Sequence, residues 1–80
     1  MKIENSSIEN KFKLAIEEQK KNNFNIAEKI YEEILEIEPN HLESICYLAT
    51  IFAQTKRTSL AKIFFLKAIE MNPNNPRINN

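Results

Sequence analysis

The sequence predicts an all-α chain built as two antiparallel helix–turn–helix units, and three observations carry that prediction. The first is composition. Among 80 residues there is no Gly, Val, Trp or Asp, while Ile (12), Asn (11) and Lys (9) dominate. Without glycine, tight hairpins and phosphate-cradling loops lack their usual residue, and β-branched residues reduce almost to Ile. The second is self-similarity at a period of 34 residues, and the third is a proline in the same place in both copies. Missing a repeat would misread the whole fold.

Sliding the chain by 34 residues aligns 8–41 with 42–75 without a gap. Seven positions are identical: Glu9/Glu43, Leu14/Leu48, Ala15/Ala49, Ala27/Ala61, Glu36/Glu70, Pro39/Pro73 and Asn40/Asn74. Six more exchange one large apolar residue for another, including Ile8/Leu42, Tyr31/Phe65 and Ile37/Met71. The expected organisation is an N-terminal extension or cap (1–7), repeat one (8–41), repeat two (42–75), and a tail or the start of a third repeat (76–80).

The elements follow in order, at 7–21, 25–38, 42–55 and 59–72. Ser6-Ser7-Ile8-Glu9 reads as a capping box before the first helix. Glu18 stands where copy two has Phe52, so this helix is weakly patterned, as suits an end repeat that meets solvent. Asn25 is the expected cap of the second helix. There, Ile26, Ala27, Ile30, Tyr31, Ile34, Leu35 and Ile37 fill one half at about 100° per residue. A lone surface helix needs a narrower stripe, so this one should pack on two neighbours. Its opposite half holds Glu28, Glu32 and Glu36, expected to be solvated, with Lys29 and Glu33 spaced for a weak pair. Pro39 and Pro73 stop the second helix of each copy, because proline lacks the donor and crowds the preceding turn. Asn40-His41-Leu42-Glu43 supplies a cap for the third helix, which is apolar almost all round, with Tyr47 and Ile51 opposite Leu42, Ala49 and Ala53. Thr58 or Ser59 should cap the fourth. On it, Leu60, Ala61, Phe64, Phe65, Ala68, Ile69 and Met71 fill half the circumference, with Ile63 and Leu66 beyond.

Composition also excludes function classes. Eleven basic residues balance eleven acidic ones, all Glu, so no long-range field draws nucleic acid or an anionic membrane. A single cysteine, Cys46, makes no disulfide scaffold. The uncharged run from Ser44 to Thr55 is 12 residues, where a spanning helix needs about 20. Met1-Lys2-Ile3-Glu4 places charge where a signal peptide would be apolar, so the expected compartment is the cytoplasm. His41 and Cys46, each the sole member of its type, would point about 140° apart on a helix, out of reach for a nucleophile–base pair. No enzyme, cofactor or metal is expected. Lys20-Lys21 and Lys56-Arg57 are short, out of phase in the repeat and without interleaved aromatics. Charge is nonetheless uneven: residues 1–41 hold 6 Lys and 9 Glu (net −3), residues 42–80 hold 5 basic and 2 acidic (net +3). Such a dipole could order neighbours in an array or drive self-association.

Leu48-Ala49, then Phe52, Ala61, Phe65, Ala68 and Pro73, together with Leu14-Ala15, Ala27, Tyr31 and Pro39 in copy one, resemble the tetratricopeptide repeat (TPR) pattern, L-G-x-x-Y followed by A-x-x-x-F-x-x-A and P in 34 residues. The chain departs from it at the opening aromatic, which is Lys11 and Ile45, and at the glycine, which is Ala15 and Ala49. The resemblance implies a short right-handed α-solenoid with helix crossings at Ala27 and Ala61, beside which Tyr31 and Phe65 fill space. It further implies a protein or peptide partner in the groove of the first helices, lined by Glu9, Phe12, Lys13, Ile16, Glu43, Cys46, Tyr47 and Thr50; equally, Phe12, Ile16 and Cys46 could pack between helices. The carboxylate clamp of the co-chaperone members is replaced by Phe12, Ile16 and Tyr47, and the asparagine ladder of the glycosyltransferase arrays by Lys13 and Tyr47. The alternatives are the N-terminal part of a longer TPR array attached to an enzyme such as a transferase, and a small homo-oligomeric structural protein. Residues 59–72 would carry the oligomer contact or the array's continuation.

Overall fold

The computed structural model describes the backbone of residues 3–71 and the side chains of 7–71. Four helices follow in order: α1 (Ile3–Lys20), α2 (Phe24–Ile37), α3 (Leu42–Gln54) and α4 (Thr58–Met71). Among the described residues there is no strand. The expected stop at Pro73, the last expected residue of α4 and the segment 76–80 lie outside the described residues. Each helix packs on the next, α1 on α2, α2 on α3 and α3 on α4, so α2 and α3 each have a neighbour on both sides, as their wide apolar arcs require.

Helix ends differ from expectation in instructive ways. α1 begins at Ile3, so the Ser6–Glu9 box lies inside a helix; residues 3–6 hold neither Pro nor Gly to stop the ladder. α2 is capped by Asn23 and not Asn25, and without a side-chain cap; the Asn23 side-chain amide donates to Glu18 Oε1 at 2.7 Å. α3 is capped by His41, not Asn40. Its Nδ1 accepts from the Ser44 N–H at 3.2 Å, serving one of the orphan donors that every helix N-terminus leaves. At α4, the Ala61 N–H donates to the Arg57 carbonyl at 3.0 Å, which puts Arg57, not Thr58 or Ser59, in the capping position. Pro39 does its expected work: α2 ends at Ile37, and the Glu38 N–H closes back on the Ile34 carbonyl at 2.8 Å.

The two intra-repeat turns are copies of each other. Asn22 and Lys56, one period apart, have positive φ of 66° and 67°. Around them the same pair of bonds forms: Asn22 N–H to Gln19 O and Asn23 N–H to Glu18 O, then Lys56 N–H to Ala53 O and Arg57 N–H to Phe52 O. This is the Schellman ending of α1 and α3, a position where glycine is the usual residue. With no Gly in the chain, Asn22 tolerates the left-handed conformation and Lys56 is strained by its Cβ.

The core is a strip running through all four helices. Ala15, Ala27, Tyr31, Ile34, Ile45, Ala49 and Ile51 are fully buried, with Leu48, Phe52, Ala61 and Ala68 nearly so. Ala27 and Ala61 are thus both buried in this strip. Phe65 does not fill space beside Ala61: it is 42% exposed, while its counterpart Tyr31 is at 0%. Phe64 takes the packing role, edge-on to Phe52 with centroids 5.1 Å apart. The reason is positional, since α3 covers Tyr31 and no helix follows α4 among the described residues. Ile26 and Ile37, at the margins of the α2 arc, stay half exposed.

The charged half of α2 is not simply solvated. Arg57 grips Glu28 with both terminal nitrogens, 2.6 Å and 3.1 Å, donates from Nε to Thr55 Oγ1, and lies 4.8 Å from the Phe52 ring centre. It thereby ties the α3–α4 turn to α2 with a planar, bidentate fork that lysine could not supply. Hydrogen bonding to Glu28 pushes the Arg57 guanidinium further up, and burial together with the Glu28 charge raises the Glu32 carboxyl. Glu33 pairs with Lys11 of α1 at 3.0 Å, not with Lys29.

Candidate interaction groove

The eight residues assigned to the groove lie on α1 and α3 and fall into two groups. Glu9, Lys13, Glu43 and Tyr47 are exposed; Phe12, Ile16, Cys46 and Thr50 are partly buried. Phe12 is the junction. Its ring meets Tyr31 at 6.1 Å, His41 at 5.3 Å and Tyr47 at 5.6 Å between centroids, each time edge to face. It therefore joins α1 to α2, to the head of α3 and to α3 itself. Aromatic pairs in this geometry contribute about 0.5–1.5 kcal/mol beyond the area they bury.

Tyr47 is the exposed member. It stacks on Tyr31 with ring centroids 5.7 Å apart and planes within 5°, leaving the residue 37% exposed. Tyr31 is in turn fixed by its hydroxyl, which donates to Gln19 Oε1 at 2.9 Å. Burial, and secondarily Tyr47, push the Tyr31 phenol well above its ordinary range, so it remains a neutral donor. Phe12, Tyr31, His41 and Tyr47 thus form one aromatic cluster in which Tyr47 is the most exposed ring.

Among the predicted residues, the fold brings Phe12 and Tyr47 into contact. Thr50 spends its hydroxyl on the Cys46 carbonyl at 3.1 Å, the local back-bond common for Thr in helices. Burial, then Glu43, raise the Cys46 thiol; a protonated thiol is a poor nucleophile. His41 is occupied as a cap. Among the described residues no three His, Cys, Asp or Glu side chains come together as a metal site. A shallow open depression of about 260 Å³ lies elsewhere, along α2 between Asn25 and Glu33, and includes none of the eight.

Two residues of this cluster escaped sequence reading. Tyr31 read as filler beside Ala27 because a helical wheel shows the arc and not the partner. His41 fell within the expected capping segment 40–43, but nothing in the sequence pattern pointed to its ring meeting Phe12.

Two helix pairs in series, each with a buried alanine at the same place and an αL turn at the same position, define a helical-pair repeat protein. The family model described as Tetratricopeptide repeat matches residues 8–41 and again residues 42–75. The chain belongs to the tetratricopeptide repeat family, as two tandem repeats in a short helical solenoid. No curated protein matches the chain. Repeats of this family are generally protein–protein interaction modules and typically non-enzymatic scaffolds. Among the described residues no helix is long and apolar enough to cross a membrane.

Proposed function

We propose that this chain is a non-enzymatic scaffold whose α1/α3 groove captures an extended or helical segment of a partner protein, with Tyr47 as the anchor. The observation that carries the reading is the Tyr47 ring, partly exposed and stacked on Tyr31. A pre-ordered aromatic loses little entropy on binding, and such anchors supply most interface energy. Glu9, Lys13 and Glu43 around it select the charge pattern of the partner. Phe12 contributes as the brace of Tyr47 more than as a direct contact, because three rings already surround it. The module belongs in the cytoplasm, where its lone thiol meets no oxidising partner.

The test is a pull-down with the intact chain, mass spectrometry of what is retained, and titration of the recovered partner against variants. Tyr47→Ala should weaken binding by about 1–3 kcal/mol with the helical content unchanged. Undiminished affinity in Tyr47→Ala and in Lys13→Glu would place the partner elsewhere.

A further inference from the structure

The outer face of α4 has a composition that stacking does not explain. Ile63, Leu66 and Ile69 are 58%, 51% and 40% exposed. One period earlier, α2 carries Lys29, Glu32 and Leu35 at these positions. α2 is already covered by a following helix, α3, and under it Lys29 and Glu32 remain exposed. A helix stacked on α4 as α3 is on α2 would therefore leave Ile63 and Leu66 in water. Their apolar character therefore calls for a partner other than a stacked repeat.

The pattern along this face is self-complementary. At about 100° per residue, Lys62 and Glu70 sit equally far to either side of Leu66, one turn before it and one turn after. Ile69 and Ile63 lie just outside them. Turning a second α4 antiparallel about Leu66 places Leu66 on the partner's Leu66. It also sets Lys62 level with the partner's Glu70, and Glu70 level with the partner's Lys62. Ile69 then lies along the methylene stem of the partner's Lys62, and Ile63 along that of the partner's Glu70. A parallel pairing would instead set Lys62 beside Lys62 and Glu70 beside Glu70, which repel. Two-fold contacts of this kind use one patch twice and close on themselves.

We infer that the outer face of α4 is a homodimer contact, in which a second copy of this chain pairs antiparallel through Leu66 with Lys62–Glu70 bridges at both ends. No residue of this face belongs to α1 or α3, so the contact is separate from the groove reading and stands or falls apart from it. One helix pair is small against the roughly 1,200–2,000 Å² of a stable interface, so the dimer forms in the micromolar range and weakens with salt.

Sedimentation equilibrium on the full chain, from about 1 to 300 μM at low and moderate salt, reads the proposal directly. The expected result is a reversible monomer–dimer equilibrium. Leu66→Glu should raise the dissociation constant about tenfold or more, since it sets two carboxylates on the two-fold axis; α2 carries Glu32 at the equivalent position, so the helix accepts the residue. Lys62→Glu should weaken the dimer about fivefold, and Lys62→Glu combined with Glu70→Lys should restore it to within about threefold. Circular dichroism checks that the variants keep their helices. A chain that stays monomeric at 300 μM overturns the proposal and leaves the face to a helix of another protein. A dimer indifferent to Leu66→Glu, or one that the charge swap does not rescue, overturns it equally by placing the contact elsewhere.

Discussion

α2 and α4 are the same helix written twice, yet they live in different surroundings. Position by position their inner residues correspond: Ala27 with Ala61, Ile30 with Phe64, Tyr31 with Phe65, Ile34 with Ala68. α2 lies between α1 and α3, and Tyr31 and Ile34 lose all contact with water. Among the described residues α4 packs chiefly on α3, and its burial narrows to Ala61 and Ala68. The lesson is that an apolar arc in a repeat helix specifies two contacts, and the chain around it decides how many are made. Leu14 and Leu48 teach the same from the other end. Identical in the repeat, they differ because Leu48 has α2 ahead of it, whereas Leu14 is half exposed.

The sharpest way to test the comparison is to truncate the equivalent aromatics. Tyr31→Ala should cost about 3–5 kcal/mol, as large aromatic truncations in cores do, and should also loosen Tyr47 and Phe12. Phe65→Ala should cost less than about 1.5 kcal/mol, since much of that ring is already wet. Urea melts of both variants decide it; similar losses would mean that α4 is as enclosed as α2.

Overpacking probes the alanines. Ala27→Leu should destabilise by about 1–3 kcal/mol and Ala61→Leu by somewhat less, because α2 has a helix on both sides whereas α4 packs chiefly on α3. Ala53→Leu, on the exposed side of α3, should stay within about 0.5 kcal/mol. Equal melting temperatures across the three would break the register of the two repeats.

Alkaline titration isolates Tyr31. Its folded-state pKa is raised, so in the range above about pH 10 the folded chain holds a proton that the unfolded chain has lost. Stability is fully present below pH 10 and falls as pH rises, by up to about 1.4 kcal/mol per unit. Tyr31→Phe should flatten that slope. A slope unchanged in the variant would assign it to another group.

The smallest effect compares the two turns. Lys56→Gly should stabilise by about 0.5–1 kcal/mol, because it relieves a Cβ at φ 67°. Asn22→Gly should gain only a few tenths, since asparagine already accepts that conformation. A destabilised Lys56→Gly would show that the lysine side chain, and not the backbone, matters at the turn.

Much of this was open to sequence reading. The period, four helices, the proline stop after Ile37 and the burial of Ala27 all rest on spacing, which a helix converts into direction at a known angle. The groove was legible in part. Phe12 and Tyr47, both assigned to it, touch edge to face, but the ring they share, Tyr31, comes from α2 and was assigned a different role. The Arg57–Glu28 fork was hidden for a similar reason: the two residues are 29 apart and belong to no shared period.

Local physics therefore determined where helices run, where they stop and which half of each is apolar, because propensity, capping chemistry and periodicity act within a few residues. Tertiary structure decided which of two equivalent apolar arcs is covered, which histidine atom caps α3, and that Tyr47 stands on Tyr31. Those outcomes depend on which side chains meet across separate helices, and on how much of each surface a neighbour removes from water. A 34-residue period can repeat a helix; it cannot repeat the helix's neighbours.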